Sequence, residues 1–97
     1  MSLTFEWDPR KAVINAQKHG IAFSEATAVF DDPLAKIFLD VWHSQSEQRE
    51  IIIGHLPDRR LCVVVFAEIS EGHLRMWMAV PTCALLVNTA GDRQRGW

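Results

Sequence analysis

The sequence has little cysteine, no excess of positive charge and no long apolar run, and each of these absences excludes a class of protein. Two cysteines in 97 residues are too few for a disulfide framework, and no CxxC pair is present to hold zinc. The longest uncharged run, residues 76–91, is too short to span a bilayer and contains Pro81. The first nine residues contain two acidic residues and lack the basic segment followed by an apolar segment that a signal peptide has. We therefore expect a cytoplasmic protein with no membrane partner.

The balance of charge limits how the protein could meet a nucleic acid. Ten Lys and Arg against twelve Asp and Glu give a formal charge of −2, so such a role needs a local basic cluster. A composition of 48% hydrophobic and 23% charged residues is that of a globular chain. We predict a single domain over residues 1–80 and a divergent tail over residues 81–97.

Two helices are predicted in the N-terminal third of the chain. Asp8-Pro9 combines a side-chain cap with a proline suited to the first helical position, and Gly20 is a left-handed stop. A second helix is predicted to begin at Ser24 as its N-cap and to end before Asp32-Pro33. Residues 3–7 alternate between apolar and polar, which predicts a short strand ahead of both helices.

After the helices the apolar period changes to two. The linkers between the apolar runs are short and are polar or contain Gly or Pro, which indicates an antiparallel meander. We therefore expect an α+β fold, in which two N-terminal helices pack on an antiparallel sheet of about four strands and a short irregular tail follows. The four strand candidates are residues 34–41, 49–54, 61–67 and 73–80.

The last strand candidate divides into two faces of different chemistry. Alternation places four apolar side chains on one face, which we assign to the core, and basic and aromatic side chains on the other, which is a candidate binding surface. The apolar face carries Leu74, Met76, Met78 and Val80, and the other carries His73, Arg75, Trp77 and Ala79. The aromatic residues at positions 5, 7, 23, 30, 38 and 66 are also assigned to the core.

Motifs spread over residues 5–67 occur in the same order and spacing in one known family. They are Phe5-Glu6-Trp7-Asp8-Pro9, Lys11, Asn15, Lys18-His19-Gly20-Ile21, Phe23, Glu25-Ala26, Val29-Phe30-Asp31-Asp32-Pro33, Arg49 and Ile53-Gly54. On these residues the sequence resembles the BrnT-type toxins. The resemblance implies a RelE-like fold and a ribonuclease toxin (an mRNA interferase) of a type II toxin–antitoxin pair.

The same resemblance implies a reaction and a set of partners. RNA would be cleaved without a metal ion or another cofactor. A small BrnA-type antitoxin would neutralise the toxin and would bind operon DNA, so that this chain meets DNA only through the antitoxin complex.

Metal-independent cleavage of RNA needs cations near the phosphate and one or two groups that can transfer protons. As catalytic candidates we take Arg49, Arg75 and His73. As RNA-binding candidates we take Lys11, Lys18, Arg59, Arg60 and Trp77. His43 and His55 have no second ligand at a fixed spacing, so no metal site is predicted.

Each candidate also has a purely structural interpretation. Lys11 and Lys18 could belong to a solvated helix face, and Asn15 could simply hydrogen-bond a nearby loop. Arg75 could pack over Trp77 in a cation–π contact. The remaining structural interpretations are an ion pair of Arg49 with Glu47 or Glu50 and a solvated turn at Arg59-Arg60.

The C-terminal part departs from the family pattern. Met78-Ala79-Val80-Pro81 stands where the family has an Ser-Ala-Arg-like stretch, and the basic helix that follows there is missing. We interpret residues 78–97 as a divergent or out-of-frame C-terminus and expect weak or no cleavage. The alternatives are an inactive antitoxin-binding module and a degraded toxin remnant. Interface anchors for such a module would be Trp42, Met76, Trp77, Leu85 or Leu86.

Overall fold

A five-stranded mixed sheet with helices packed on it forms the described part of the chain, residues 3–40 and 48–82 of the computed structural model. The expected α+β class is confirmed. The strands are β1 (Thr4–Glu6), β2 (Lys36–Leu39), β3 (Glu50–His55), β4 (Leu61–Ser70) and β5 (His73–Pro81). The helices are α1 (Pro9–His19) and α2 (Phe23–Ala26), and a 3₁₀ segment (Thr27–Asp31) continues from α2. The strand order across the sheet is β1-β5-β4-β3-β2.

The prediction of an antiparallel sheet of about four strands was correct for the meander but did not include β1 in the sheet. Strands β2 to β5 do form the antiparallel meander, but β1 adds a fifth strand that runs parallel to β5. Its register pairs Thr4 with His73 and Glu6 with Arg75. Alternation over so few residues predicts a strand but does not indicate its partner, and a parallel partner must lie far away in the sequence.

Helix α1 forms as its end signals predict. The Asp8 carboxylate accepts a hydrogen bond from the Arg10 backbone N–H at 2.8 Å, and Pro9 occupies the first turn. Gly20 ends the helix with φ of 72°, a conformation that glycine adopts without strain. The Gly20 N–H donates to the carbonyl of Ala16 at 2.9 Å, which satisfies one of the last free carbonyls of the helix.

The second helix starts earlier and is much shorter than predicted. Its N-cap is Ala22, not Ser24, and the α-helical part ends at Ala26 before the chain tightens into the 3₁₀ segment. The carbonyl of Ser24 accepts a hydrogen bond from the side-chain hydroxyl of Thr27 at 2.8 Å. The Asp32 carboxylate then accepts from the Leu34 N–H at 2.9 Å and closes the turn into β2.

A bulge in β5 changes which side chains face the helices. Val65 pairs with Met78 and Phe66 pairs with Met76, so Trp77 is an extra residue without a partner in the register. The bulge shifts the alternation by one position. The predicted faces of this strand are therefore wrong beyond Trp77, where Ala79 joins the core beneath the helices in place of Met78. Val80 is buried as predicted, but on the opposite face of the sheet.

The main core cluster lies between the helices and one face of the sheet, and Val63, Val65 and Val80 are buried on the other face. In the main cluster, Phe23 of α2 and Val29 of the 3₁₀ segment pack against strand residues such as Cys62, which is buried as predicted. Gly54 allows the close approach, since a Cβ atom there would lie 2.9 Å from Cγ1 of Val29. Of the aromatic residues assigned to the core, Phe38 is an exception and is half exposed.

The structure also bears on the predicted interface anchors and on the predicted lack of a membrane-spanning helix. Met76 is completely enclosed in the core and cannot anchor an interface, while Trp42, Leu85 and Leu86 lie outside the described residues. Among the residues that the structure describes, no helix is long and apolar enough to cross a bilayer.

Candidate functional site

The indole of Trp77 is the centre on which three cationic side chains converge. The Lys11 Nζ atom lies 4.2 Å from the ring centroid, and the Cζ atoms of Arg49 and Arg75 lie at 4.0 and 5.9 Å. The four residues, which we call the indole cluster, come from α1, from the position just before β3, and from β5. The structure therefore brings together four of the eight candidates predicted from the sequence.

The fold holds the members of the indole cluster in place from three directions. The β5 bulge presents Trp77 beside the basic residues, and the Arg49 carbonyl accepts a hydrogen bond from the Asp40 N–H at 2.9 Å. Lys11 is placed by α1, whose buried Asn15 is bonded to β5. The Asn15 Nδ2 atom donates to the carbonyl of Ala79 at 2.8 Å, and the Asn15 Oδ1 atom accepts from the Ala79 N–H at 3.1 Å.

Two clefts open on either side of Lys11 and Trp77. The first cleft has a volume of about 270 Å³ and is lined by the basic and imidazole side chains of Lys11, Lys18, His19 and Arg49 over an apolar floor. The second has a volume of about 310 Å³ and contains Arg75. Because Lys11 and Trp77 line both clefts, an extended polymer could occupy the two clefts together.

His19 is the only histidine among the residues that line the first cleft. Burial of the imidazole, together with the nearby charge of Lys18, lowers the His19 pKa below its ordinary value of 6.5. The buried Nε2 atom has no hydrogen-bond partner among the residues that the structure describes. Burial therefore favours the neutral form of the imidazole, which is the form that can accept a proton.

Glu6 connects the second cleft to His73. The Glu6 carboxylate contacts the His73 Nε2 atom at 2.6 Å through Oε1 and the Arg75 Nε atom at 2.8 Å through Oε2. These two hydrogen bonds hold the Glu6 pKa below its usual range, and the one with His73 has the larger effect. Glu6 was not among the candidates predicted from the sequence, because only the parallel pairing of β1 with β5 brings this carboxylate beside Arg75.

The other two basic candidates lie elsewhere, in the turn between β3 and β4. The Arg60 guanidinium pairs with Asp58 at 2.7 Å and with Glu25 at 3.1 Å. Arg59 is exposed with φ of 75°, the left-handed conformation of a tight turn. Neither residue lines the two clefts. Their interpretation as parts of a solvated turn fits this geometry.

Trp77 has two cationic side chains close to the centre of its ring. Lys11 and Arg49 lie within about 4 Å of its centroid, which is the distance at which a stacked base would lie. The cation–π interpretation of this residue therefore fits better. The electron-rich ring lowers the repulsion between like charges that the fold brings together.

The remaining reactive side chains have structural partners or are buried. His55 Nδ1 contacts the Asp32 carboxylate at 2.7 Å, where that carboxylate also accepts two backbone hydrogen bonds. Burial raises the pKa of the Cys62 thiol to about 12, which keeps it protonated and unreactive. Within residues 3–40 and 48–82, no three His, Cys, Asp or Glu side chains are grouped to hold a metal ion, and His43 lies outside these ranges.

The chain is similar to known proteins in sequence and in structure. Residues 7–77 match the family described as "Ribonuclease toxin, BrnT, of type II toxin-antitoxin system". A search of the curated proteins gave no significant match. Among solved structures, the chain is similar to the crystal structure of the Brucella abortus ribonuclease toxin BrnT, with a TM-score of 0.67 and 22% identity. This alignment covers 82% of the present chain and 96% of the other, and shows the same fold.

Proposed function

Since this chain belongs to the BrnT family of ribonuclease toxins of type II toxin–antitoxin systems, we propose that it cleaves RNA in the two clefts beside Trp77. The observation that carries the proposal is the convergence of Lys11, Arg49 and Arg75 on one indole in a chain of net charge −2. Such a local concentration of positive charge is what binding to a phosphate backbone requires.

In the proposed reaction the ribose 2′-oxygen attacks the adjacent phosphorus. The 2′-hydroxyl loses its proton to a base, the bond from phosphorus to the 5′-oxygen breaks, and that oxygen takes up a proton. The products are a 2′,3′-cyclic phosphate and a free 5′-hydroxyl. Arg49 and Lys11 would stabilise the extra negative charge on the phosphoryl oxygens, and Lys18 would bind a neighbouring phosphate.

His19 is the proposed acceptor of the 2′-hydroxyl proton. It lines the same cleft as Arg49 and Lys11, and its lowered pKa keeps the imidazole in the neutral form that a base must have. His73, the histidine that the sequence suggested, does not line either cleft and is bonded to Glu6. Chemistry by His73 or Arg75 would first require a phosphate to replace the Glu6 carboxylate.

The departure from the family pattern after Trp77 bears on the rate. Met78 lines the first cleft, and residues 78–92 contain no basic side chain, although the family resemblance implies a basic stretch there. We therefore propose slow cleavage. The alternative, an antitoxin-binding module without activity, is supported by the exposed apolar strand β2. In either case we propose a BrnA-like antitoxin as partner, cytoplasmic action, and contact with DNA only through that antitoxin.

The test of this proposal is RNA cleavage by the purified chain in the presence of a metal chelator. We expect cyclic-phosphate products, with a rate that falls as the pH drops below the His19 pKa, because the protonated imidazole cannot accept a proton. His19→Gln should lower the rate about 100-fold and remove this pH dependence.

The matched control is His55→Gln, since His55 lies outside both clefts and is bonded to Asp32. This variant should keep the rate and the pH profile of the parent chain. Unchanged cleavage by His19→Gln would refute the role of His19, and absence of cleavage by the parent chain would favour the inactive module.

A further inference from the structure

Strand β2 lies at the open edge of the sheet and carries apolar side chains that are exposed on both of its faces. The exposed fractions of Ile37, Phe38 and Leu39 are 56%, 51% and 53%, and that of Leu34 just before the strand is 74%. The register places Ile37 beside Ile52 of the core face, so Phe38 lies on the opposite face. An apolar strand exposed on both sides at a sheet edge is a pairing surface.

The backbone of β2 is positioned to accept another strand. The Asp40 N–H donates to the Arg49 carbonyl, so residues 36, 38 and 40 form the hydrogen-bonded pairs with β3. The N–H and C=O groups of Ile37 and Leu39 must then point away from β3. No described residue pairs with this edge of the sheet.

The end of β2 is connected to the indole cluster by a hydrogen bond between backbone groups. Asp40, the residue after β2, is hydrogen-bonded to Arg49, whose guanidinium lies over Trp77. A strand that added to β2 would therefore lie near the backbone of Arg49, and the partner chain that follows it would cross the face of β3 and β4 to reach the cations of the first cleft. Carboxylates in that following chain would meet Arg49 and Lys11 with complementary charge.

We propose that β2 is the docking strand for the antitoxin. The antitoxin would add an extended apolar segment to β2, and acidic residues next to that segment would cover Arg49 and Lys11. A second copy of this chain fits less well, because it would bring the same cations toward Arg49 instead of neutralising them. This inference rests on membership in a toxin–antitoxin family and does not require the chain to cleave RNA.

The test uses the antitoxin encoded beside the toxin gene as the probe, with its affinity measured by calorimetry. Ile37→Pro removes an outward N–H but leaves the ladder between β2 and β3 intact, and proline is tolerated on edge strands. We expect binding to weaken at least 10-fold. Leu39→Asp, which keeps the backbone donor, should weaken binding as well, because it places a negative charge against the apolar segment and near the acidic residues beside it.

The control is Ile69→Asp, which introduces the same charge at another exposed apolar residue on a strand away from this edge. It should bind the antitoxin as the parent chain does, and thermal unfolding should show that all variants fold. Equal affinity of Ile37→Pro, Leu39→Asp and the parent chain would overturn the proposal. So would a dimer of the free chain that Ile37→Pro dissociates, since β2 would then serve a second copy.

Discussion

Replacing Arg49 by alanine is expected to lower the rate of RNA cleavage about 100- to 1000-fold, the effect typical of losing one preorganised charge contact to a transition state. Arg49 is half-buried against Trp77, and it faces the same cleft as Lys11 and His19. Its guanidinium is held in place before substrate binds, so little is lost in ordering it. Cleavage of a defined RNA oligonucleotide under single-turnover conditions measures the change.

The control for this experiment is Arg60→Ala, which removes the same charge and side chain from the turn between β3 and β4. Arg60 is bonded to Asp58 and Glu25 and lines neither cleft. We expect this variant to cleave RNA within about twofold of the parent rate, because a distant exposed charge is screened by salt. If both variants lost activity equally, net charge and not the first cleft would control the reaction.

The second large effect is on stability, at Asn15. Its buried side chain makes three hydrogen bonds to backbone groups, one to the Ile21 carbonyl at 2.9 Å and two to Ala79. Asn15→Ala leaves all three backbone groups without that partner, and each buried unsatisfied group costs about 1–3 kcal/mol. We expect the free energy of unfolding to fall by about 3–4 kcal/mol, as measured by urea denaturation.

A decrease of this size is a large part of the stability of a domain of this length, which is about 5–15 kcal/mol. Gln17→Ala provides the control, since Gln17 is exposed on the same helix and the change should cost less than about 0.5 kcal/mol. A loss below about 1 kcal/mol in Asn15→Ala would show that water replaces the side chain. Asn15 would then not fix α1 against β5.

Local signals were sufficient for helix α1 and for the antiparallel meander. A capping aspartate, a proline at the first turn and a glycine at the end act within a few residues, so Asp8, Pro9 and Gly20 have the predicted roles. The same holds for the buried Cys62 in its apolar strand. The interpretation of Asn15 as a partner of a nearby loop was correct for Ile21, but β5 is a second partner, 64 residues away.

Features that depend on pairing across the sheet could not be predicted from the sequence. The bulge at Trp77 arises from the register between β4 and β5, and alternation alone could not place Ala79 in the core. The exposure of Phe38 follows from the edge position of β2, which no local pattern encodes. The contact of Glu6 with Arg75 depends on the parallel strand β1.

The same contrast between local sequence signals and contacts across the sheet applies to the candidate site. Residue type identified Lys11, Arg49, Arg75 and Trp77, because RNA binding requires cations and the family resemblance pointed to some of these positions. The sequence could not show that two cations would lie within about 4 Å of the indole centre. Nor could it separate His19, which lines a cleft, from His73, which is bonded to Glu6.

The most direct test of the central claim is where RNA binds. A 2′-O-methyl RNA oligonucleotide cannot be cleaved by attack of the 2′-oxygen, so its complex with the chain can be studied by NMR. We predict that adding it shifts the indole N–H signal of Trp77 and the side-chain N–H signal of Arg49, and leaves that of Arg60 unchanged. Shifts confined to the turn at Arg59 and Arg60, with Trp77 unaffected, would contradict the assignment of the two clefts as the RNA site.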